Sequence, residues 1–200
     1  REPKVIRLGE EDFDRIDESL AFDFDIADIT VHPGYRLPEK YNDIAIITLK
    51  QQIEFTNNLQ PFCLPRPNIN LDGEICTVSG WGTMPNEPAA RIIHNVNVQV
   101  VNQNNCAANY VVARSFTPIF TIQYPNGISN ELLCAGVIND VCRGDSGGPL
   151  VFSDPSGKLE EVGVVSTGYG CGDARIPGIY TKVGQYLEWI NQVTFSGCGN

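Results

Sequence analysis

Apolar residues fall in short runs along this chain rather than in long helical stripes. "KVIRL", "DIAIITL", "EICTVSGW", "IIHNVNVQVV", "PLVF", "EEVGVVS" and "GIYTKV" are rich in branched side chains, and turn formers bound them. Such runs suit a pleated, half-buried surface and predict β-strands. Their regular spacing predicts an all-β protein of antiparallel barrels or sandwiches. One segment departs from this. Tyr186, Leu187, Trp189, Ile190 and Val193 recur at helical spacing and predict a C-terminal helix over 186–194.

"LQPFCLPRPNINLDGE" carries prolines that rule out a central strand. It predicts a linker over 63–75, between residues 1–62 and 76–185. Two segments are expected to be irregular surface loops: Glu10 to Asp28, and the stretch between Cys106 and Cys134.

Composition narrows the picture. With 42% apolar residues in 200, the chain can fill a sizeable core. The net charge of -10 argues against nucleic acid, which needs a basic footprint. It suits a cationic partner, and equally plain solubility. No apolar run is long enough to span a bilayer, so no membrane partner is expected. Seven cysteines without close C-x-x-C pairs favour disulfides over zinc, and so a secreted, extracellular protein. The odd count leaves a cysteine for a segment outside this chain, or a free thiol. The opening "REPKVIRLGEEDF" reads like the middle of a domain.

The chemistry centres on "NDVCRGDSGGPL", residues 139–150. Ser146 sits among glycines and acids. A serine hydroxyl is a weak nucleophile until a base takes its proton. A Gly-Ser loop of this kind can also be a simple turn. Asp43, before the apolar run of "NDIAIITL", is in isolation a turn residue as readily as a functional carboxylate.

"CRGDSGGPL", "NDIAIITL", "CTVSGWGT", "VVSTGYGCG", "IPGIYTKV" and "YLEWI" together resemble the chymotrypsin-like (trypsin-type) serine proteases, in the family's order and over essentially the whole chain. The resemblance implies two antiparallel six-stranded barrels, the first incomplete here, with the site between them. On it, residues 1–62 are the remainder of the first barrel, 63–75 the interbarrel linker, 76–185 the second barrel and 186–194 the terminal helix. It also implies a serine endopeptidase. Ser146 is then the nucleophile, and Asp43 the carboxylate that orients the catalytic imidazole. The N–H groups of Gly144 and Ser146 form the oxyanion hole. Ser166 supports Asp43, and Ser166 and Gly168 meet the substrate backbone. Asp140 forms the floor of the specificity pocket, with Gly168 and Gly178 on its walls, which implies cleavage after Arg or Lys. Arg143 borders the site, favouring acidic groups or simply solvated. Asp145 pairs with the N-terminus made by zymogen cleavage.

Neither histidine stands in the family's context for the base. His32 in "ITVHPGY" matches an ordinary family histidine, and His94 in "ARIIHNVNV" is a weaker candidate still. The base is expected just upstream of Arg1, in a segment that also holds the activation site.

The resemblance implies disulfides Cys106–Cys134 and Cys142–Cys171. Cys63 in "PFCLP" matches a position that tethers a pro-segment. In the family Cys76 pairs with a cysteine shortly after the nucleophile, a position held here by Phe152, and Cys198 is an addition that could pair with Cys76. Thr167 replaces the usual tryptophan beside the pocket. No cofactor is implied, apart from calcium at the loop holding Glu10, Asp12, Asp17 and Glu18. There Leu20 falls where a closing carboxylate is needed, and a solvated loop fits as well. Pro177 argues against sodium. "IRLGEEDF" and "PFCLP" point to the secreted cascade kind, with protein substrates and protein protease inhibitors as partners. The alternative is a non-catalytic serine protease homologue acting as a binding or cofactor protein. A nucleotide-binding reading of "GYGCGDARIPG" fails because no helix signal follows.

Overall fold

Alternation of apolar and polar side chains, bounded by turns, gives nine strands among the described residues of the computed structural model. The structure describes residues 3–15, 21–82, 90–137, 145–167 and 176–197. Strands β1 (Val5–Leu8), β2 (Phe22–Val31) and β3 (Ala45–Leu49) form an antiparallel sheet in that order. Six more follow: β4 (Ile75–Gly80), β5 (His94–Val101), β6 (Leu132–Val137), β7 (Pro149–Ser153), β8 (Leu159–Thr167) and β9 (Gly178–Lys182). They close into a barrel in the order β4-β5-β6-β9-β8-β7. Closure leaves no free edge. Helices α1 (Gln103–Arg114) and α2 (Ile119–Gln123) lie between β5 and β6, and α3 (Leu187–Gly197) ends the chain. The architecture is therefore mostly β, with a closed barrel, a second sheet and a C-terminal helix.

Two expectations need correction. The acidic stretch Glu10 to Asp28 is not a loop throughout, because β2 begins at Phe22. Its acids answer cations. Asp23 is the register partner of Arg7 and takes two hydrogen bonds from its guanidinium, at 2.7 and 3.0 Å, while Asp25 pairs with Lys50. The Arg7 bonds hold the Asp23 carboxyl below its ordinary pKa. The stretch between Cys106 and Cys134 is also not irregular. Cys106, Tyr110 and Ala113 form the buried face of α1 at spacings of four and three. They pack with Phe120, Tyr124, Leu132 and Ile179 in a cluster of their own. A disulfide joins Cys106 to Cys134, with Cα atoms 6.2 Å apart, and fastens α1 to β6.

The barrel interior is a separate cluster, including Val78, Val98, Leu133, Leu150 and Val162. Cys76 lies in it as a free thiol, opposite Phe152 in the register. Burial pushes that thiol up to about 12. The irregular segment after β3 crosses to the barrel and docks on β8. Cys63 donates its N–H to Leu159 O and accepts from Glu161 N–H, both at 2.9 Å, while its side chain stays exposed. The fully buried Glu160 carboxylate pairs with Arg66 and Lys158 at 3.2 Å each, which fixes the crossing electrostatically as well. No helix of the described residues is long and apolar enough to cross a membrane.

Candidate active site

Asp43 lies at a corner before β3, and the barrel side fixes that corner. Asn42 adopts φ 54°, a left-handed conformation that asparagine tolerates better than most residues. Its side chain accepts from Tyr186 Oη at 3.2 Å and donates to Gly34 O at 3.3 Å. Thr181 on β9, fully buried, donates its hydroxyl to the Asp43 carbonyl at 2.8 Å. The Asp43 carboxylate is therefore aimed by residues from β9 and the approach to α3. Its Oδ2 accepts from Ser166 Oγ at 2.7 Å and from Lys40 Nζ at 3.3 Å. Burial opposes the charge on Lys40, yet Asp43 and Tyr35 outweigh it and raise the Lys40 pKa.

Ser146 stands on a turn that the neighbouring residues force. Gly147 has φ 86°, where a side chain would be strained. Gly148 N–H bonds Asp145 O at 2.8 Å, and a Cβ there would lie 2.8 Å from that oxygen. Ser146 itself is exposed. The turn is stitched to β8 by Gly147 N–H to Val165 O at 2.8 Å and Val165 N–H to Gly148 O at 2.9 Å. Val165 adjoins Ser166, which bonds Asp43. One strand end thus carries both the serine turn and the carboxylate's partner.

Asp145 turns the other way, toward the end of β4. Its Oδ1 accepts from Gly82 N–H at 2.8 Å, and a Cβ at Gly82 would come 2.5 Å from Oδ2. Gly178 begins β9, where a Cβ would sit 3.3 Å from the Tyr180 ring. Asp140, Cys142, Arg143, Gly144, Gly168, Cys171, Cys198, Asp17, Glu18 and Leu20 lie outside the described residues. Glu10 and Asp12 are engaged locally: Glu10 with Arg7 and the Glu11 and Asp12 amides, Asp12 with Arg91. No cluster of three His, Cys, Asp or Glu groups with metal-holding geometry occurs among the described residues.

His32 is engaged elsewhere, and His94 sits on a barrel strand. His32 Nδ1 accepts from Gly34 N–H at 3.1 Å, and its ring packs edge-on against Tyr186 and Trp189. His94 opens β5 opposite Gly80. The sequence motifs assign no role to three neighbours of the carboxylate: Lys40, Thr181 and Tyr124. Lys40 stands three residues before Asp43, and that spacing is the only hint the sequence offers. Tyr124 donates to Thr167 Oγ1 at 2.7 Å across the end of β8.

A closed barrel and a second sheet, with an aspartate and a serine brought to one strand end, describe the fold of the chymotrypsin-like serine proteases. The chain belongs to the trypsin family of serine proteases, which it matches over residues 1–190. It is 31% identical over 198 residues to the clotting factor G beta subunit of Tachypleus tridentatus, covering 95% of this chain and 61% of that one. It is 38% identical over 173 residues to phenoloxidase-activating factor 1 of Holotrichia diomphalia, covering 84% of this chain and 44% of the relative. A third relative is named inactive: CLIP domain-containing serine protease A28 of Anopheles gambiae, 32% identical over 191 residues, with 94% and 49% covered. The chain thus spans about half the length of the curated relatives it matches.

Proposed function

We propose that the protein is a trypsin-like serine endopeptidase that cleaves after Arg or Lys in an extracellular proteolytic cascade. One observation carries the reading. Asp43 and Ser146, 103 positions apart (146 − 43), are tied to the same end of β8 through Ser166 and through Gly147 and Gly148. Ser146 Oγ attacks the scissile carbonyl carbon and gives its proton to an imidazole that Asp43 orients. The carbonyl electron pair moves onto oxygen, where the Gly144 and Ser146 amides stabilise it. Collapse breaks the C–N bond, and the imidazolium protonates the leaving amine. Water then releases the acyl group by the same steps. The base is a histidine N-terminal to Arg1, a reading supported by the packing of the His32 ring against Tyr186 and Trp189. Asp140 pairs with the substrate cation, between Gly168 and Gly178, and Cys142–Cys171 braces that pocket. Asp145 receives the activation N-terminus, and Cys63 is free to tether a pro-segment. Partners are protein substrates and protein inhibitors, and the chemistry needs no cofactor.

The rival is a non-catalytic homologue that binds rather than cleaves, and the relative named inactive keeps it in view. Labelling the activated protein with a fluorophosphonate, alongside hydrolysis of arginyl and aromatic amides, separates the two. The enzyme should label at Ser146, and Ser146→Ala should cost at least about a thousandfold in turnover. Asp140→Ser should cut arginyl cleavage by orders of magnitude and aromatic cleavage far less. An activated protein that neither labels nor cleaves is the binding homologue.

A further inference from the structure

We propose that Thr167 is a positioning residue, linking the buried Tyr124 phenol through Ser166 to the Asp43 carboxylate. The proposal rests on reading Asp43 as the catalytic carboxylate. Three contacts form the chain. Tyr124 Oη lies 2.7 Å from Thr167 Oγ1, Thr167 Oγ1 lies 3.4 Å from Ser166 Oγ, and Ser166 Oγ lies 2.7 Å from Asp43 Oδ2.

The protons in this chain have only one consistent order. An ionised carboxylate accepts and never donates, so the single Ser166 proton points at Asp43. Ser166 oxygen can then only accept from Thr167. Thr167 oxygen in turn accepts from Tyr124, which has one proton to give. All three donors point the same way, and each bond polarises the next.

The backbone makes the chain possible. Successive strand residues normally face opposite sides of a sheet. Between Val165 and Thr167 the register against β9 shifts, with Val165 opposite Tyr180 and Thr167 opposite Ile179. Such an irregularity re-aims side chains. It brings the hydroxyls of Ser166 and Thr167 within reach of each other. The far end of the chain is rigid. Tyr124 is 1% exposed, with Tyr41 and Tyr110 edge-on against its ring at 5.8 and 6.1 Å. Burial pushes the phenol's pKa up, more than the nearby hydroxyls of Thr167 and Ser166 pull it down, so it remains a donor. Ser166 is only 9% exposed, which leaves its hydroxyl little access to water as a partner. Thr167 instead ties Ser166, and with it the orientation of Asp43, to the core around α1.

The test is steady-state kinetics of the activated protease on a small arginyl amide. Thr167→Val keeps the branched shape and removes the hydroxyl. It should lower kcat three- to tenfold, the range of one neutral hydrogen bond, with KM within twofold. Thr167→Ser should restore kcat. Tyr124→Phe should match the valine variant, and the double variant should be no worse than either single one. An unchanged kcat in Thr167→Val, losses that add, or a loss in KM alone would overturn the link, the last marking a plain substrate contact. Asp43→Asn separates this failure from that of the underlying reading. If it is crippling while Thr167→Val is silent, only the link fails. If Asp43→Asn costs less than about a hundredfold, or the unmutated protease shows no turnover, the assignment of Asp43 fails and the link with it.

Discussion

The closed barrel and the three-stranded sheet are written in the same alternating code, yet they bury it differently. Among the described residues no apolar side chain of the three-stranded sheet is largely buried, and the buried ones begin at Pro65 and Leu71. In the sheet, Val5, Phe22, Val31 and Ile47 remain 47, 53, 50 and 40% exposed. A barrel turns one face of each strand inward and meets itself, whereas an open sheet needs something else to cover it. The difference bears on the site. Asp43 belongs by sequence to the sheet, but Thr181 and Ser166 hold it, Tyr186 holds Asn42 beside it, and Tyr41 nearby donates to Gly127 O at 2.7 Å. The candidate carboxylate is placed by the better-packed half.

That contrast can be sharpened by matched truncations. In residues 1–200 taken by themselves, Leu150→Ala, at a site with no exposure, should destabilise by about 3–5 kcal/mol, while Ile47→Ala in the sheet, 40% exposed there, should cost below about 1 kcal/mol. Equal losses in denaturant titrations would erase the distinction. A second measurement probes the barrel interior by pH. The folded Cys76 thiol is pushed by burial to about 12, above its ordinary 9.0. Its contribution is fully present below pH about 9 and is lost as pH rises toward 12, at up to about 1.4 kcal/mol per pH unit. Buried Tyr110, Tyr124, Tyr180 and Tyr186, all raised by burial, join from about pH 10. Cys76→Ala should therefore flatten the decline between pH 9 and 10. Urea midpoints across that window check it, and an unaltered slope would count against the buried thiol.

The smallest effect belongs to the sheet side. Burial lowers the His32 pKa below its ordinary value, and the charge of Glu131 only partly opposes this. The neutral imidazole is favoured in the fold. Its contribution is present above pH about 6.5 and is lost on acidification, opposite in sign to Cys76. His32→Gln should soften the fall in thermal midpoint between pH 6.5 and 5, and leave the kcat of the activated protease within a few fold. A collapse of kcat would make His32 the base after all.

Much of this was legible in the sequence where periodicity was clean. Seven strands and the terminal helix announce themselves by branched apolar runs and helical spacing. Strand β2 did not, because Asp23, Asp25 and Asp28 made it look like a loop. Yet "FDFDI" alternates strictly, and the acids face Arg7 and Lys50 rather than open water alone. Helix α1 hid behind asparagines and two exposed valines, although Cys106, Tyr110 and Ala113 keep a helical period. β6 hid in "LLCAGV", a short apolar run directly after that misread segment. The placement of Asp43 beside Ser166 could be anticipated only by family resemblance. The contacts of Lys40, Thr181 and Tyr124 arise from chain segments far apart or from a register shift, and no local pattern encodes those.

The docking of Cys63 on β8 also has a mechanical meaning. Its N–H and carbonyl are both bonded to the start of that strand, while β7 and β9 clasp the strand on its two sides. Tension entering through the exposed sulfur would load these ladders in shear, where several bonds share it, instead of peeling them one at a time. The far end of the same strand, about 23 Å away at 3.3 Å per residue, carries Ser166 and Thr167. A pull on Cys63 would be spread across the barrel wall before it reached the hydroxyls beside Asp43, so that corner can stay still while whatever hangs on the sulfur moves.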